Sequence, residues 1–162
     1  MSTVEIPLSG GMVAIVDAAD AERVRQYTWY ASRDGSRVYV LRHIRRPDGG
    51  DSNQSLHQFL TGYRLCDHRN GDGLDNRSSN LREATPSQNM WNRRRASGAS
   101  GFKGVSKRGR NWRARIKVCD KEVYLGMYAV QEDAARAYDM AARELHGEFA
   151  TLNFPLPGER AA

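Results

Sequence analysis

The chain has 162 residues, a formal net charge of +6 and 40% hydrophobic residues, enough for one ordinary domain or two small ones. A mean hydropathy of −0.70 goes with the absence of any apolar run of the roughly 18 residues that a membrane helix needs, so no membrane partner is expected. The start Met1-Ser2-Thr3-Val4-Glu5 lacks the basic and apolar parts of a secretory signal, which predicts residence in a cytoplasm, and Cys66 and Cys119, with no Cys-x-x-Cys pair, leave neither a disulfide framework nor a structural zinc to expect.

From Val4 to Ile44, short apolar runs (Val4-Ile6-Leu8, Met12 to Val16, Val38 to Leu41) alternate with turn signals at Gly10-Gly11, Asp34-Gly35 and Asp48-Gly49-Gly50. This pattern predicts a small β-rich unit. Asp20 is placed to cap a short helix through Tyr27, and Tyr27, Trp29 and Tyr30 are read as core packing. Ser55 to Gly62 reads as a short helix closed by Gly62, and Arg64-Leu65-Cys66 as a strand leading into Asp67-His68. The loop Arg69-Asn70-Gly71-Asp72-Gly73-Leu74-Asp75-Asn76-Arg77 follows, then Asn80-Leu81-Arg82. Thr85-Pro86-Ser87-Gln88 gives a helix start with Thr85 as N-cap, Pro86 at the first helical position and Gln88 closing a capping box. With 3.6 residues per turn, Asn89, Asn92 and Arg93 share a face of that helix.

An acid, a histidine and an amide on strand, loop and helix suit phosphodiester cleavage. A neutral histidine activates water, and a divalent cation held by a carboxylate relieves charge on the phosphate. Adjacent strand residues point to opposite faces, so Asp67 and His68 act on one phosphate only if the strand ends or bends there.

The segment from about residue 4 to 95 resembles the HNH, or ββα-metal, endonucleases of the phage and intron homing type. The resemblance rests on Asp67-His68-Arg69-Asn70-Gly71, on Asp75-Asn76-Arg77-Ser78-Ser79-Asn80-Leu81-Arg82, and on Gln88-Asn89. It implies His68 as general base, Asp67 and Asn89 as ligands of Mg²⁺ (or Mn²⁺), and Asn80 as the amide that braces the loop or the base histidine. Arg77 and Arg82 are then phosphate contacts or structural supports. His57 matches a histidine common in the family's preceding helix, with packing, metal-site support or catalysis left open. His43 and His146 have no motif behind them and are read as structural.

Ala96-Ser97-Gly98-Ala99-Ser100-Gly101 is small, uncharged and Gly/Ser-rich, and reads as a linker. Between Ala84 and Cys119 stand ten Lys or Arg residues and no Asp or Glu, interleaved with Trp91, Phe102 and Trp112, the footprint of a polyanion-binding surface. Residues 102–107, 111–118 and 122–126 read as three antiparallel strands, with turns at Arg108-Gly109-Arg110 and Asp120-Lys121. Trp112, Ala114, Ile116 and Val118 fall on one side of the second strand, and Arg113, Arg115 and Lys117 on the other. Ala129 to His146 follows as a helix whose alanine stripe covers the apolar side of the sheet, with Asp133, Asp139 and Glu144 turned outward.

This segment resembles the Apetala/ethylene-response-factor (AP2/ERF) DNA-binding domain through Phe102-Lys103-Gly104-Val105, Trp112-Arg113-Ala114-Arg115-Ile116, Tyr124-Leu125-Gly126, Ala134 to Asp139 and Leu152-Asn153-Phe154-Pro155. The resemblance implies a sheet lying in the major groove, with Lys103, Lys107, Trp112, Arg113, Arg115 and Tyr124 as DNA contacts, joined by Arg93 on the basic run. Ser106, Tyr124 and Arg115 depart from the plant pattern, so the fold transfers better than the sequence preference.

The expected architecture is α+β: a β-rich N-terminal unit with a ββα-metal motif, then a three-stranded antiparallel sheet packed on one helix. Its parts are a nuclease region 1–95 with its core at 55–95, a linker 96–101, a DNA-binding domain 102–155 and a tail 156–162. The expected activity is metal-dependent cutting of double-stranded DNA in a bacterial or phage-infected cytoplasm, with no obligate protein partner. The competing class is a non-catalytic DNA-binding regulator with a relic nuclease region.

Overall fold

The computed structural model describes residues 2–35, 37–92 and 100–162. The fold is α+β, with small antiparallel sheets and four α-helices, in two compact units, Met1–Ala84 and Thr85–Ala162.

In the first unit, β1 (Thr3–Pro7) and β2 (Val13–Asp17) form a hairpin, with Ile6 opposite Ala14. Helix α1 (Ala21–Arg25) is shorter than expected, and Asp20 makes no side-chain cap bond. Strands β3 (Tyr30–Asp34), β4 (Arg37–Arg45) and β5 (Asp51–Ser55) make an antiparallel sheet in chain order. Helix α2 (Leu56–Thr61) follows and ends on Gly62 in the left-handed conformation at φ 73°, the expected glycine stop. The core gathers Ile6, Leu8, Ala14, Val16, Val24, Trp29, Val40 and Leu56. Leu56 is fully buried, which is worth about 2 kcal/mol and anchors the helix that carries His57. Trp29 is core as read, whereas Tyr27 stays near the surface with the Arg42 guanidinium 3.7 Å over its ring. The unit closes with a two-stranded ladder of β6 (Cys66–His68) and β7 (Leu81–Glu83).

The second unit begins with helix α3 (Pro86–Trp91). Its capping box is complete: the Thr85 hydroxyl accepts from Gln88 N at 3.2 Å, and Gln88 Oε1 accepts from Thr85 N at 2.8 Å. The helix groups with residues after it in sequence. The Trp91 ring stacks on His146 at 4.4 Å, and the Trp91 carbonyl accepts from Lys103 Nζ at 2.6 Å. Strands β8 (Val105–Arg108), β9 (Asn111–Val118) and β10 (Lys121–Tyr128) form the expected meander, and helix α4 (Gln131–His146) covers it with Ala134, Ala135, Tyr138 and Ala142.

The turn between β9 and β10 falls on Cys119-Asp120, both at positive φ, one residue earlier than expected. Gly104 sits at φ +76°, where an added Cβ would lie 2.0 Å from the Tyr138 ring, so strand and helix approach as closely as they do only with glycine there. Asp139 is a correction: it is buried, and its carboxylate accepts from Asn153 N at 2.8 Å and Phe154 N at 2.7 Å. The chain returning after α4 needs acceptors for those amides, and helical periodicity alone does not foresee that return. Residues 156–162 also fold back rather than trail. Leu152 N donates to Arg160 O at 2.8 Å, and Arg143 clamps both Glu159 oxygens at 2.8 Å. That clamp holds the Glu159 carboxyl down at about 2. Of the expected linker, residues 96–99 lie outside the described residues; the Ser100 hydroxyl donates to Val105 O at 2.9 Å.

Candidate active site and nucleic-acid interface

Strand β6 ends at His68, so Asp67 and His68 occupy the last rungs of a short ladder, as a shared substrate requires. Register places Asp67 directly opposite Arg82 and His68 opposite Leu81. Arg82 Nε and Nη2 both donate to Asp67 Oδ2, at 2.9 and 2.7 Å, and both side chains are nearly sealed from solvent. Of the two roles foreseen for Arg82, phosphate contact and structural support, the geometry matches the second.

The loop from Arg69 to Arg77 is held by its own amides and acids. Asn80 Oδ1 accepts from Asn70 N at 2.9 Å, and Asn80 Nδ2 donates to Asp75 O at 2.7 Å, so Asn80 braces the loop rather than the histidine. Asp75 accepts Nε and Nη2 of Arg77 at 2.7 and 2.6 Å, which holds its carboxyl below the usual range. Asp17, at the end of β2, accepts from both Ser78 N and Ser78 Oγ, at 2.8 and 2.6 Å. These bonds lower its carboxyl as well. Strand β2 also straps the loop through Ile15 N to Leu74 O at 2.8 Å and Asn76 N to Ile15 O at 2.7 Å. At Gly73 an added Cβ would sit 2.0 Å from Val38 O, so the loop lies flat on β4 only with glycine there.

Asn76 is the residue that sequence reasoning missed: it stands in the Asp75-Asn76-Arg77 part of the motif, and nothing local in the sequence says which side chain it meets. It is 1% exposed, and its Nδ2 donates to Gly73 O at 3.0 Å, which fixes Oδ1 as the acceptor. His68 Nε2 lies 3.2 Å from that oxygen, so Nε2 carries the proton and Nδ1 the lone pair. Burial is the largest influence on the His68 pKa and pulls it below the ordinary histidine value, against the opposing bond to Asn76 and the charge of Asp67. The His57 ring meets His68 edge to face at 5.0 Å, and burial, helped by His68, pushes its pKa down to about 4. Ser55 Oγ donates to Gln58 Oε1 at 2.8 Å and therefore accepts from His57 Nε2 at 3.0 Å. Both rings are neutral at pH 7.

Among the described residues no group of three or more His, Cys, Asp or Glu is placed to hold a metal. Asn89 is half-buried on α3, in the second unit, whereas Asp67 and His68 belong to the first. Cys66, beside Asp67, is a free thiol whose pKa burial pushes up.

The second unit presents one open sheet face. Register puts Ser106, Arg113 and Met127 in one row and Arg115 and Tyr124 in the next, on the side away from Ala114 and Ile116, which face α4. Tyr124 is 61% exposed. Arg115 pairs with Glu122 at 2.5 Å and Lys117 with Asp120 at 2.9 Å, while Arg113 Nε and Ser106 Oγ are buried with no partner among the described residues. Trp112 and Lys107 face each other across the ladder on the opposite side of the sheet, with the ammonium 5.6 Å from the ring centroid. Trp112 packs against the Val105 and Ala134 cluster, the core role weighed for it. Lys103 also differs from expectation. Its ammonium bonds Trp91 O and Thr151 Oγ1 inside the unit, and burial pulls its pKa down to about 8. Arg93 lies outside the described residues. Charge separates cleanly: residues 1–84 hold eleven basic and eleven acidic side chains, and residues 85–162 hold fourteen and eight, so the whole excess sits with the second unit.

The chain thus places a nearly buried Asp-His pair on a two-stranded ladder, with an amide-braced loop between the strands. An uncharacterised HNH endonuclease of Acanthamoeba polyphaga mimivirus is 30% identical over 155 residues, which is 88% of this chain and 75% of that protein. The chain belongs to the HNH endonuclease family. Its C-terminal part is similar to AP2/ERF transcription factors. An ethylene-responsive transcription factor of Arabidopsis thaliana is 42% identical over 84 residues, 48% of this chain and 36% of that protein, and one of Nicotiana tabacum is 53% identical over 60 residues, 35% and 26%. The chain thus spans about a third or less of these plant relatives and joins an HNH region to an AP2/ERF-like one. No family model matches it, and among the described residues no helix is long and apolar enough to cross a membrane.

Proposed function

We propose that the protein is a metal-dependent DNA endonuclease of the homing type, with a ββα-metal catalytic centre in the HNH region and the AP2/ERF-like sheet as its hold on double-stranded DNA. The observation that carries the reading is the His68–Asn76 bond, which sets the Nδ1 lone pair on a histidine that burial keeps neutral at pH 7. A base must be unprotonated and oriented before substrate arrives, and the burial of His68 and its bond to Asn76 support that role.

In this reading His68 Nδ1 takes a proton from water, the oxygen of that water attacks phosphorus, and the bond to the 3′ oxygen breaks. The departing oxygen leaves as a hydroxyl after taking a proton from solvent. Asp67 offers a carboxylate, and Asn89, by the resemblance, an amide oxygen. Both are hard donors, and one carboxylate leaves the remaining positions to water and phosphate, as Mg²⁺ prefers and Mn²⁺ accepts. The chemistry supplied by the bound ion is charge relief on the phosphate and on the departing oxygen. Affinity comes from the basic second unit, through Arg113, Arg115 and Tyr124 on the open face.

The test is conversion of supercoiled plasmid to open-circular or linear DNA with Mg²⁺, Mn²⁺ or EDTA, on several plasmids that include DNA from the source genome. Cutting that needs the ion is expected, and its product separates nicking from double-strand cleavage. Salt-sensitive binding without cutting on every plasmid would favour a DNA-binding regulator instead.

A further inference from the structure

Arg82 is buried against the one carboxylate offered for the cation, and its Nε and Nη2 both donate to the same oxygen, Asp67 Oδ2. A guanidinium held 2.7 Å from a carboxylate cancels the charge that would draw a cation to it. The acids nearby are also engaged. Asp75 is paired with Arg77 at 2.6 Å, Asp17 is bonded to Ser78, and Asp72 is exposed, its carboxylate accepting from Leu74 N at 3.0 Å. The unit as a whole has eleven charges of each sign. At Asp67 itself, a divalent cation approaching alone meets a carboxylate whose charge Arg82 already offsets.

We propose that Arg82 is a positioning residue that makes cation loading depend on DNA: it neutralises Asp67, so the ion is held weakly until a phosphate of the substrate adds negative charge. The inference rests on the reading of Asp67 as a metal ligand. Coupling of this kind is reciprocal, so the ion tightens DNA binding at the site by the same factor as DNA tightens the ion. It also keeps a reactive centre unloaded away from its substrate.

The experiment reads site occupancy directly, as paramagnetic broadening of the His68 imidazole NMR signals during Mn²⁺ titration of the full chain. Measurements are made with and without a 20-base-pair duplex. The wild type should need about tenfold or more Mn²⁺ without duplex than with it. Arg82→Gln, which keeps one donor to Asp67 and removes the charge, should bind Mn²⁺ about tenfold more tightly without duplex and lose most of the coupling. Arg82→Lys, which keeps the charge and loses the fork, should behave like the wild type, whereas a merely structural role would leave Lys and Gln alike. Equal Mn²⁺ affinity of the wild type with and without duplex would overturn the proposal even if Arg82→Gln failed to fold. Broadening that persists unchanged in Asp67→Asn would instead sink the metal-site reading itself.

Discussion

Asn76→Ala removes two bonds at once. His68 Nε2 loses its acceptor at 3.2 Å and Gly73 O its donor at 3.0 Å, in a place where Asn76 is 1% exposed and water does not readily replace it. Each buried group left unpaired costs about 1–3 kcal/mol, so roughly 2–6 kcal/mol of stability is lost. That is a sizeable share of the about 5–15 kcal/mol of an ordinary domain, yet leaves it folded at low temperature. The catalytic effect is separate. Without Asn76 the proton is no longer confined to Nε2, and the ring is no longer aimed. General-base catalysis is worth about 10²–10⁴-fold in all, so a loss of tautomer and aim lowers the single-turnover cutting rate by about 10- to 100-fold. Urea unfolding and plasmid cutting at 15 °C measure the two effects on one preparation. A folded Asn76→Ala protein that cuts at the wild-type rate would refute the reasoning.

Three further outcomes follow from the second unit. Arg113→Ala with Arg115→Ala should weaken duplex binding and flatten the slope of log affinity against log salt by about 0.9 per lost phosphate contact, with Glu122 left unpaired on the open face as an added repulsion. Lys103→Met should leave that slope unchanged, because the ammonium points into the unit. The folded state lowers the Lys103 pKa from 10.5 to about 8, so the buried charge is a cost below pH 8 that is relieved as pH rises toward 10.5. Wild-type stability should therefore gain in that window, and a melt series should show the gain missing from Lys103→Met. Gly104→Ala, with a Cβ 2.0 Å from Tyr138 and a positive φ, should cost roughly 3 kcal/mol or more and melt the second unit early in calorimetry.

Local chemistry was legible in the sequence where one stretch of chain decides the outcome. Thr85, Pro86 and Gln88 cap α3 by themselves, Gly62 stops α2, and alternation along β9 assigns Ala114 and Ile116 to one face and Arg113 and Arg115 to the other. What stayed hidden depends on partners distant in sequence. The Asp67–Arg82 pair exists because a three-residue ladder sets that register, and strands so short carry no periodicity to read. Asn76 and Asn80 both stand in the motif, and only the folded loop says that Asn76 faces His68 while Asn80 holds Asn70 and Asp75. Lys103 and Asp139 look like surface charges in sequence, yet each satisfies backbone groups brought by other segments, Trp91 in one case and Asn153 and Phe154 in the other. The edge-to-face contact of His57 with His68 is likewise a meeting of α2 with β6 that the sequence alone does not show.

The central claim is that His68 performs the chemistry while the second unit performs the holding. The measurement that tests it most directly sets wild type beside His68→Ala, reading supercoiled-plasmid cutting in Mg²⁺ together with duplex affinity across a salt series. The account predicts cutting by the wild type, none by His68→Ala, and superimposable binding curves. Cutting retained in a clean His68→Ala preparation would contradict it.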